Sequence, residues 1–424
     1  MRAQKLTTWI FIAMIAGIVV GYMCNQLIPD PKTAKTVAGY VSLLTEIFLR
    51  LIKMIIAPLV FSTLVVGIAH IGDTKSVGRV GLKALGWFVC ASLASLLLGL
   101  LLVNLMKPGV GLNLPLPDAA ASTNLRTGSL SLKEFVAHLV PRSVIEAMAT
   151  NEILQIVVFS IFFGVAAASL GERAKTIVAW IEDLVHIMLK ITGAVMKFAP
   201  LAVFAAMASV ITTQGLGILL TYGTFMVEFY FGLVVLWVLL GFVGLLLLGP
   251  SVLRLFGLIK EPLALAFSTA SSEAAYPKTL EQLGRFGVNS KISSFVLPMG
   301  YSFNLDGSMM YCTFAVLFIA QAYGVQLTLA QQITMLLILM VTSKGMAGVP
   351  RASLVVIAAT LASFDIPEAG LLLIMGIDQF LDMGRSATNV IGNSLATAVV
   401  AKWEGELKPP PEEVQGAGLQ PAAA

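Results

Sequence analysis

Charge is what this chain has least of. Asp, Glu, Lys and Arg together make up 12% of its 424 residues, about half the share found in an ordinary soluble domain, which excludes a water-facing globular surface. Histidine and cysteine are almost as scarce, with three of each. Cys24, Cys90 and Cys312 stand far apart in apolar surroundings, which excludes a disulfide framework or a thiolate metal site and leaves packing as their role. His70, His138 and His186 lie away from the polar groups described below. No nucleophile–base grouping and no metal-ligand spacing forms, so neither an enzyme nor a cofactor is expected. The net charge of +4 is small and sits in short connections, which makes it a topology signal and not a nucleic-acid footprint.

Hydrocarbon takes the place of charge. Hydrophobic residues make up 58% of the chain and the mean hydropathy is +0.90, so the expected fold is an all-α polytopic membrane protein. Residues 1–106 hold three spans, of which the first, 7–27, reads as a retained helix and the second, 43–71, carries Arg50 and Lys53 near its start and Pro58 as a kink. An external loop occupies 107–152, and residues 153–250 supply spans four to six at 153–169, 177–211 and 221–248. With the N-terminus in the cytoplasm, most basic residues, among them Lys75, Arg79, Lys83, Arg173, Lys175, Arg254 and Lys402, fall on the inner side. Both termini are then cytoplasmic, in a bacterial-type inner membrane. Residues 405–424, dominated by Pro, Glu, Gly and Ala, read as a disordered tail.

After residue 254 the pattern changes. The stretch 263–283, LALAFSTASSEAAYPKTLEQL, is helix-like at both ends and polar in the middle. It reads as a re-entrant helical hairpin, whose non-helical tip survives at membrane depth by lining a cavity. Span seven, 292–321, is interrupted by Asn304, Asp306 and Gly307, and 329–364 repeats the hairpin pattern around TSKGMAGVP. Two interrupted segments, each followed by a helix with a polar patch, point to the inverted repeats of a secondary transporter.

The last span, 375–401, is the most informative. Asp378, Asp382, Arg385, Asn389 and Asn393 fall within roughly 80° on one face of a helix, opposite Phe380, Leu381, Ile391 and Val399. An ionisable stripe inside a membrane segment marks a functional site by default. Half-helices that end at mid-membrane aim backbone N–H groups at an anion, so Ser271, Ser272 and the backbone of 345–349 can surround a carboxylate. Arg385 adds a planar fork for a carboxylate, and Asp382, one turn away, complements an ammonium. Together they suit a zwitterion with a second carboxylate. The alternative is that Asp382 and Arg385 only neutralise each other as i, i+3 neighbours.

The segments STASSEAAYP, GYSFNLDGS, SKGMAGVP and DMGRSATNVIGN resemble, in order and separation, the motifs of the dicarboxylate/amino acid:cation symporter family. LIKMIIAPLVFSTLVVGIAHI and KFAPLAVFA extend the resemblance over nearly the whole chain. It implies eight transmembrane helices plus two re-entrant hairpins, built as inverted repeats. It also implies a homotrimer in the lipid bilayer, scaffolded by helices 1–2 and 4–5, and an elevator motion of a transport domain within 254–404. By this resemblance Arg385 binds the substrate side-chain carboxylate, Asp382 its amino group, and Asn389, Ser308 and Ser386 make further contacts. Ser272 in the first hairpin, with the backbone of Gly348 and Val349 in the second, forms the lids. Relatives that carry dicarboxylates tend to lack an acid at the position of Asp382, which favours glutamate and aspartate here and leaves a C4-dicarboxylate symporter as the rival; an anion channel is the rival from another class.

Departures from the family pattern bear on coupling. Sodium-coupled members have Asp where this chain has Asn393, Tyr and Thr where it has Phe88 and Ala91, and Met where it has Leu305. Losing a carboxylate and hard oxygen ligands weakens a Na⁺ site, so proton coupling is expected, with Na⁺ coupling as the alternative. Asn304, Asp306, Asp378 and Asn393 are the remaining polar groups counted as coupling candidates. Cys312 replaces the Glu that animal proton-coupled relatives use, and Glu273 at the tip of the first hairpin is the candidate proton carrier, against a reading as a solvent-facing loop carboxylate.

Overall fold

The computed structural model describes residues 3–71, 74–110, 140–215, 222–343, 352–375 and 377–408. Among these the regular structure is helical, with a single isolated bridge between Val288 and Leu407. The first half consists of α1 (Ala3–Leu27), α2 (Pro31–Ile71), α3 (Thr74–Met106), α4 (Val144–Thr150), α5 (Ile153–Leu170), α6 (Lys175–Val195), α7 (Ala199–Gln214) and α8 (Gly223–Leu248). Helix α2 starts twelve residues before the expected 43 because Pro31 suits a first helical turn and the Asp30 carboxylate caps it, accepting from Thr33 N at 3.0 Å. It continues through Pro58. The expected fifth span is split: a 3-10 turn, Met196–Phe198, separates α6 from α7, and Pro200, which has no N–H to donate back, sits in the first turn of α7. Within the expected 107–152 loop, α4 forms with Ser143 as its cap, the Oγ accepting from Glu146 N at 3.4 Å.

The second half continues with α9 (Ser251–Leu258), α10 (Lys260–Thr269), α11 (Tyr276–Phe286), α12 (Ser290–Phe303), α13 (Asp306–Ala322), α14 (Leu329–Thr342), α15 (Ala352–Ala362), α16 (Leu371–Met375) and α17 (Asp378–Trp403). The polar middle of the first interrupted segment and that of span seven break helices where the sequence places them, while 344–351 of the second lie outside the described residues. Of the tail expected from 405, residues 405–408 instead pack as a strap. Asn289 N donates to Glu406 O at 3.1 Å, and Lys408 N donates to Gly287 O at 2.9 Å.

The helices form two groups. In one, α1 lies along α7 while α2 packs on α5, α6 and α7; in the other, α8, α10, α12 and α13 surround α17, and α3 packs on α13. Contacts of α12 with α2 and of α10 with α1 and α7 join them. From Asp378 to Ala401 every residue of α17 is buried except Gln379 and Asp382. Two glycines of this group stand where no side chain fits. A Cβ on Gly307 would lie 2.8 Å from Arg385 Cα, and one on Gly392 would collide with the Asp306 carboxylate, so α13 and α17 approach backbone to backbone at the first and backbone to side chain at the second.

By length and composition, six described stretches can cross a membrane: Thr8–Leu27, Pro31–Ala69, Val77–Met106, Ile153–Gln214, Gly223–Leu248 and Ser290–Ala322. Expected spans four and five share one of them. The expected eighth, α17, has 26 residues and a length of about 39 Å, but its polar stripe lowers its hydropathy. Protein surrounds it on all sides, so it needs no lipid-facing surface.

Candidate functional site

The site is built on the first half of α17. Arg385 is 1% exposed, and its Nη2 lies 3.1 Å from Asp378 Oδ1 and 3.1 Å from Asp382 Oδ1. Tyr311 of α13 supports this arrangement twice, donating its hydroxyl to Asp378 Oδ1 at 3.0 Å and placing its ring 3.9 Å from the guanidinium carbon. Phe229 of α8 meets Tyr311 edge-on at 5.5 Å, so the ring has a wall behind it. Arg385 Nε and Nη1 have no hydrogen-bond partner. A buried guanidinium with two of its three nitrogens unused, next to an acid whose side chain is 31% exposed, is arranged to take a further acceptor.

One turn further along α17, Asn389 ties the helix to the break in span seven. Its Oδ1 accepts from Gly307 N at 2.9 Å and its Nδ2 donates to Ser308 Oγ at 3.3 Å. Gly307 N–H is one of the donors that the first turn of α13 leaves without an intrahelical partner, so Asn389 acts as its cap from another helix.

The first interrupted segment closes the site from the side. Helix α10 ends at Ala270 in a left-handed conformation, φ +50°, and Ser271 N donates back to Ala266 O at 3.1 Å, which satisfies the terminal carbonyls. Ser271 Oγ then accepts from Ala274 N at 3.3 Å, a 3-10 turn covers Glu273–Ala275, and Pro277 starts α11. Ser271, Ser272 and Glu273 thereby face the same space as α17.

That space is a cleft of about 630 Å³. Arg385, Asp382, Ser386, Asn389, Ser308, Ser271, Ser272 and Glu273 all line it, as the sequence reading places them in one site. Asp378 stands behind the cleft as the anchor of Arg385. Gly348 and Val349, with Lys344, Gly345 and Arg351, lie outside the described residues. The sequence reading missed Tyr311, Tyr301, Ser353 and Gln379, and the part played by Glu46 and Lys53 of α2 in the cleft wall. Gln379 was visible as the residue one turn before Asp382; Tyr311 was visible only as an aromatic one turn after Ser308.

Asn304, Asp306 and Asn393 form a second, deeper cluster, each 0% exposed. Asp306 Oδ2 accepts from Asn304 Nδ2 at 3.1 Å and its Oδ1 from Ser95 Oγ of α3 at 3.5 Å. Asn304 Oδ1 and both amide atoms of Asn393 lack hydrogen-bond partners. On the same face of α3 as Ser92 and Ser95, Phe88 and Ala91 are buried and bring no oxygen. The cluster therefore offers one carboxylate and neutral oxygens. Among the described residues no group of three or more His, Cys, Asp or Glu side chains is placed to hold a metal ion.

Residues 6–403 match the Sodium:dicarboxylate symporter family. The chain is 40% identical over 418 residues to a C4-dicarboxylate transport protein of Laribacter hongkongensis, covering 96% of this chain and 92% of that one. It is 41% identical over 412 residues to a proton/sodium-glutamate symport protein of Geobacillus stearothermophilus, covering 96% of each, and 37% identical over 411 residues to the proton/sodium-glutamate symport protein of Bacillus subtilis, covering 95% and 94%. The matched region runs from α1 to the end of α17 and contains both interrupted segments and the polar face of α17. The chain belongs to the sodium:dicarboxylate symporter family.

Proposed function

We propose that this protein is a secondary active symporter that imports acidic amino acids, glutamate or aspartate, together with protons. The observation that carries the reading is the cleft floor, where the unused Nε and Nη1 of buried Arg385 stand beside the partly exposed carboxylate of Asp382. The guanidinium takes the substrate's side-chain carboxylate in a fork, and Asp382 exchanges its contact with Arg385 for the substrate ammonium. Asn389 keeps one amide N–H for the substrate while its other contacts hold α13 in place. Ser271 and Ser272 at the broken end of α10–α11 cover the α-carboxylate side, with the second interrupted segment as the opposite lid.

Proton coupling is supported by the deeper cluster, where Asp306 is the one carboxylate, with Asn393 in place of a second and Phe88 and Ala91 in place of further oxygen ligands, and by Glu273 in the cleft wall. The working cycle is an elevator motion of the α17 group past the α1–α2–α5–α6–α7 group in a homotrimer, seated in an inner membrane with both termini cytoplasmic. In that orientation the cleft opens outward, because it meets α2 at Ser42, Thr45, Glu46 and Leu49, in the half nearer its extracellular start.

A second reading is a C4-dicarboxylate symporter. The ion pair between Asp382 and Arg385 favours it, since a site with its acid already neutralised does not require an ammonium. The discriminating experiment is uptake of labelled aspartate, glutamate and succinate by the reconstituted protein under separately imposed H⁺ and Na⁺ gradients. Amino-acid uptake driven by the H⁺ gradient supports the proposal; succinate uptake without amino-acid uptake, or dependence on Na⁺ alone, overturns it. Acceleration of labelled uptake by internal unlabelled substrate separates either carrier from an anion channel.

A further inference from the structure

The cleft has two walls, and substrate binding as described so far uses one of them. Arg385, Asp382, Asn389 and the first interrupted segment belong to the α17 group, whereas the facing wall is made by α2 and α7 of the other group. Ser42, Thr45, Glu46, Leu49 and Lys53 of α2 line the cleft and fall within roughly 100° on one side of that helix. Two hydrogen bonds hold this wall together: Thr45 Oγ1 donates to Ala202 O at 2.9 Å, and Ser209 Oγ of α7 donates to Ala38 O at 3.0 Å.

The charges on the α2 wall are unpaired. Neither Lys53 nor Glu46 forms a hydrogen bond or ion pair with another described residue, and they stand seven residues apart, about 10 Å along the helix. Glu46 is exposed, whereas Lys53 is half-buried near the middle of the membrane-compatible stretch Pro31–Ala69. A lysine at that depth with no counter-ion marks a substrate path by default.

The charge balance of the cleft gives this lysine a task. Three acids line it, Glu46, Glu273 and Asp382, against two cations, Lys53 and Arg385. Arg385 already contacts both Asp378 and Asp382. Among the described residues, Lys53 is therefore the one cation of the lining that no carboxylate engages. An anion entering the cleft meets an acidic majority, and Lys53 is the group that offsets it on the way in.

We propose, on the basis of the symporter reading above, that Lys53 is an entry contact for the cargo's carboxylate. It draws the anion from the mouth of the cleft and passes it to Arg385. The two cations suit these two tasks: an ammonium on a flexible stem captures an anion without fixing its orientation, and the planar guanidinium then fixes it. Because Lys53 belongs to α2, it stays behind when the α17 group carries the cargo across. Its contribution is therefore confined to the outer side of the membrane.

The test compares the unmodified protein with Lys53→Met, which removes the charge and keeps the stem, and Lys53→Arg, which keeps the charge. Two quantities are measured with whichever of labelled aspartate, glutamate and succinate is carried: the external KM for uptake into right-side-out vesicles, and the internal concentration that half-saturates efflux from the same vesicles. Lys53→Met should raise the external KM by about three- to tenfold and leave the internal value unchanged, with Lys53→Arg close to the unmodified protein. Added choline chloride should shrink the difference in external KM, since a charge in a wet cleft is screened. An unchanged external KM in Lys53→Met overturns the proposal. Equal shifts on both sides, a shift confined to the inner side, or a Lys53→Arg variant as impaired as Lys53→Met each assign Lys53 a packing role and overturn it too. The expected shift seen with succinate in a protein that carries no amino acid supports the entry contact and overturns the amino-acid reading alone.

Discussion

The two ends of α17 each bring a carboxylate to an arginine, and the two pairs do opposite work. Near the start, Arg385 is buried, shares a single nitrogen between Asp378 and Asp382, and leaves Nε and Nη1 unused. At the far end Glu404 is saturated. Arg79 reaches its Oε2 with Nε at 3.0 Å and Nη2 at 2.8 Å, Lys83 its Oε1 at 2.6 Å, and Lys83 also donates to Trp403 O at 3.0 Å. Arg79 is 55% exposed, so water screens that pair. Satisfied and screened, the Glu404 cluster is a tether that fastens α17 to α3. Unsatisfied and buried, Arg385 holds binding capacity in reserve, because an unmade hydrogen bond inside a protein is worth far more to a ligand than one already made at the surface.

The comparison predicts its largest break at Arg385. Arg385→Ala leaves Asp378 and Asp382 without their cation and should destabilise the fold by about 3–5 kcal/mol, with substrate binding lost, read by thermal unfolding in detergent and by equilibrium titration. Arg385→Lys restores the charge without the fork, so it should recover much of the stability and little of the affinity. Equal recovery of both would mean that Arg385 neutralises its neighbours and binds nothing. Asp382→Asn comes next. Aspartate affinity should fall by about ten- to a hundredfold while succinate competes better, since the amide removes the partner of the ammonium and relieves the repulsion of a carboxylate. Unaltered preference in a competition assay would favour the dicarboxylate reading. Gly392→Ala tests the deeper cluster without touching the cleft: the added methyl meets the Asp306 carboxylate and should cost about 1–3 kcal/mol of stability through overpacking.

How much of this was legible in the sequence depends on the range of the interaction involved. The polar face of α17 follows from helical periodicity, and the interruptions at 270–275 and 304–305 follow from polar residues inside apolar runs, since both are local patterns. The seven residues Arg385, Asp382, Ser386, Asn389, Ser308, Ser271 and Ser272, expected at the substrate, and Glu273, expected as the proton carrier, line one cleft. What the sequence hid is non-local. Asn389 capping α13 from α17 and Tyr311 of α13 under the guanidinium depend on which helices touch. Ala270 adopts a positive φ where composition suggests nothing unusual. Glu228, with a buried oxygen lacking a hydrogen bond, sits in span six, where no residue was singled out.

The smallest effect belongs at the tether. The Arg79 guanidinium, reinforced by Lys83, holds the Glu404 carboxyl below the usual glutamate range. A group whose folded value is lowered stabilises the fold above its unfolded value, and that contribution is lost as pH falls through the folded one. Glu404→Gln should therefore lower stability by about 1 kcal/mol near neutrality, and by progressively less as the pH is brought below the glutamate range. Added salt should shrink the difference, because one partner is exposed. The same salt titration applied to Asp382→Asn should leave its effect on aspartate binding nearly constant, since the Arg385 environment excludes the screening ions. If both effects fade with salt in parallel, the site is wetter than its burial implies and the contrast between the two ends of α17 fails.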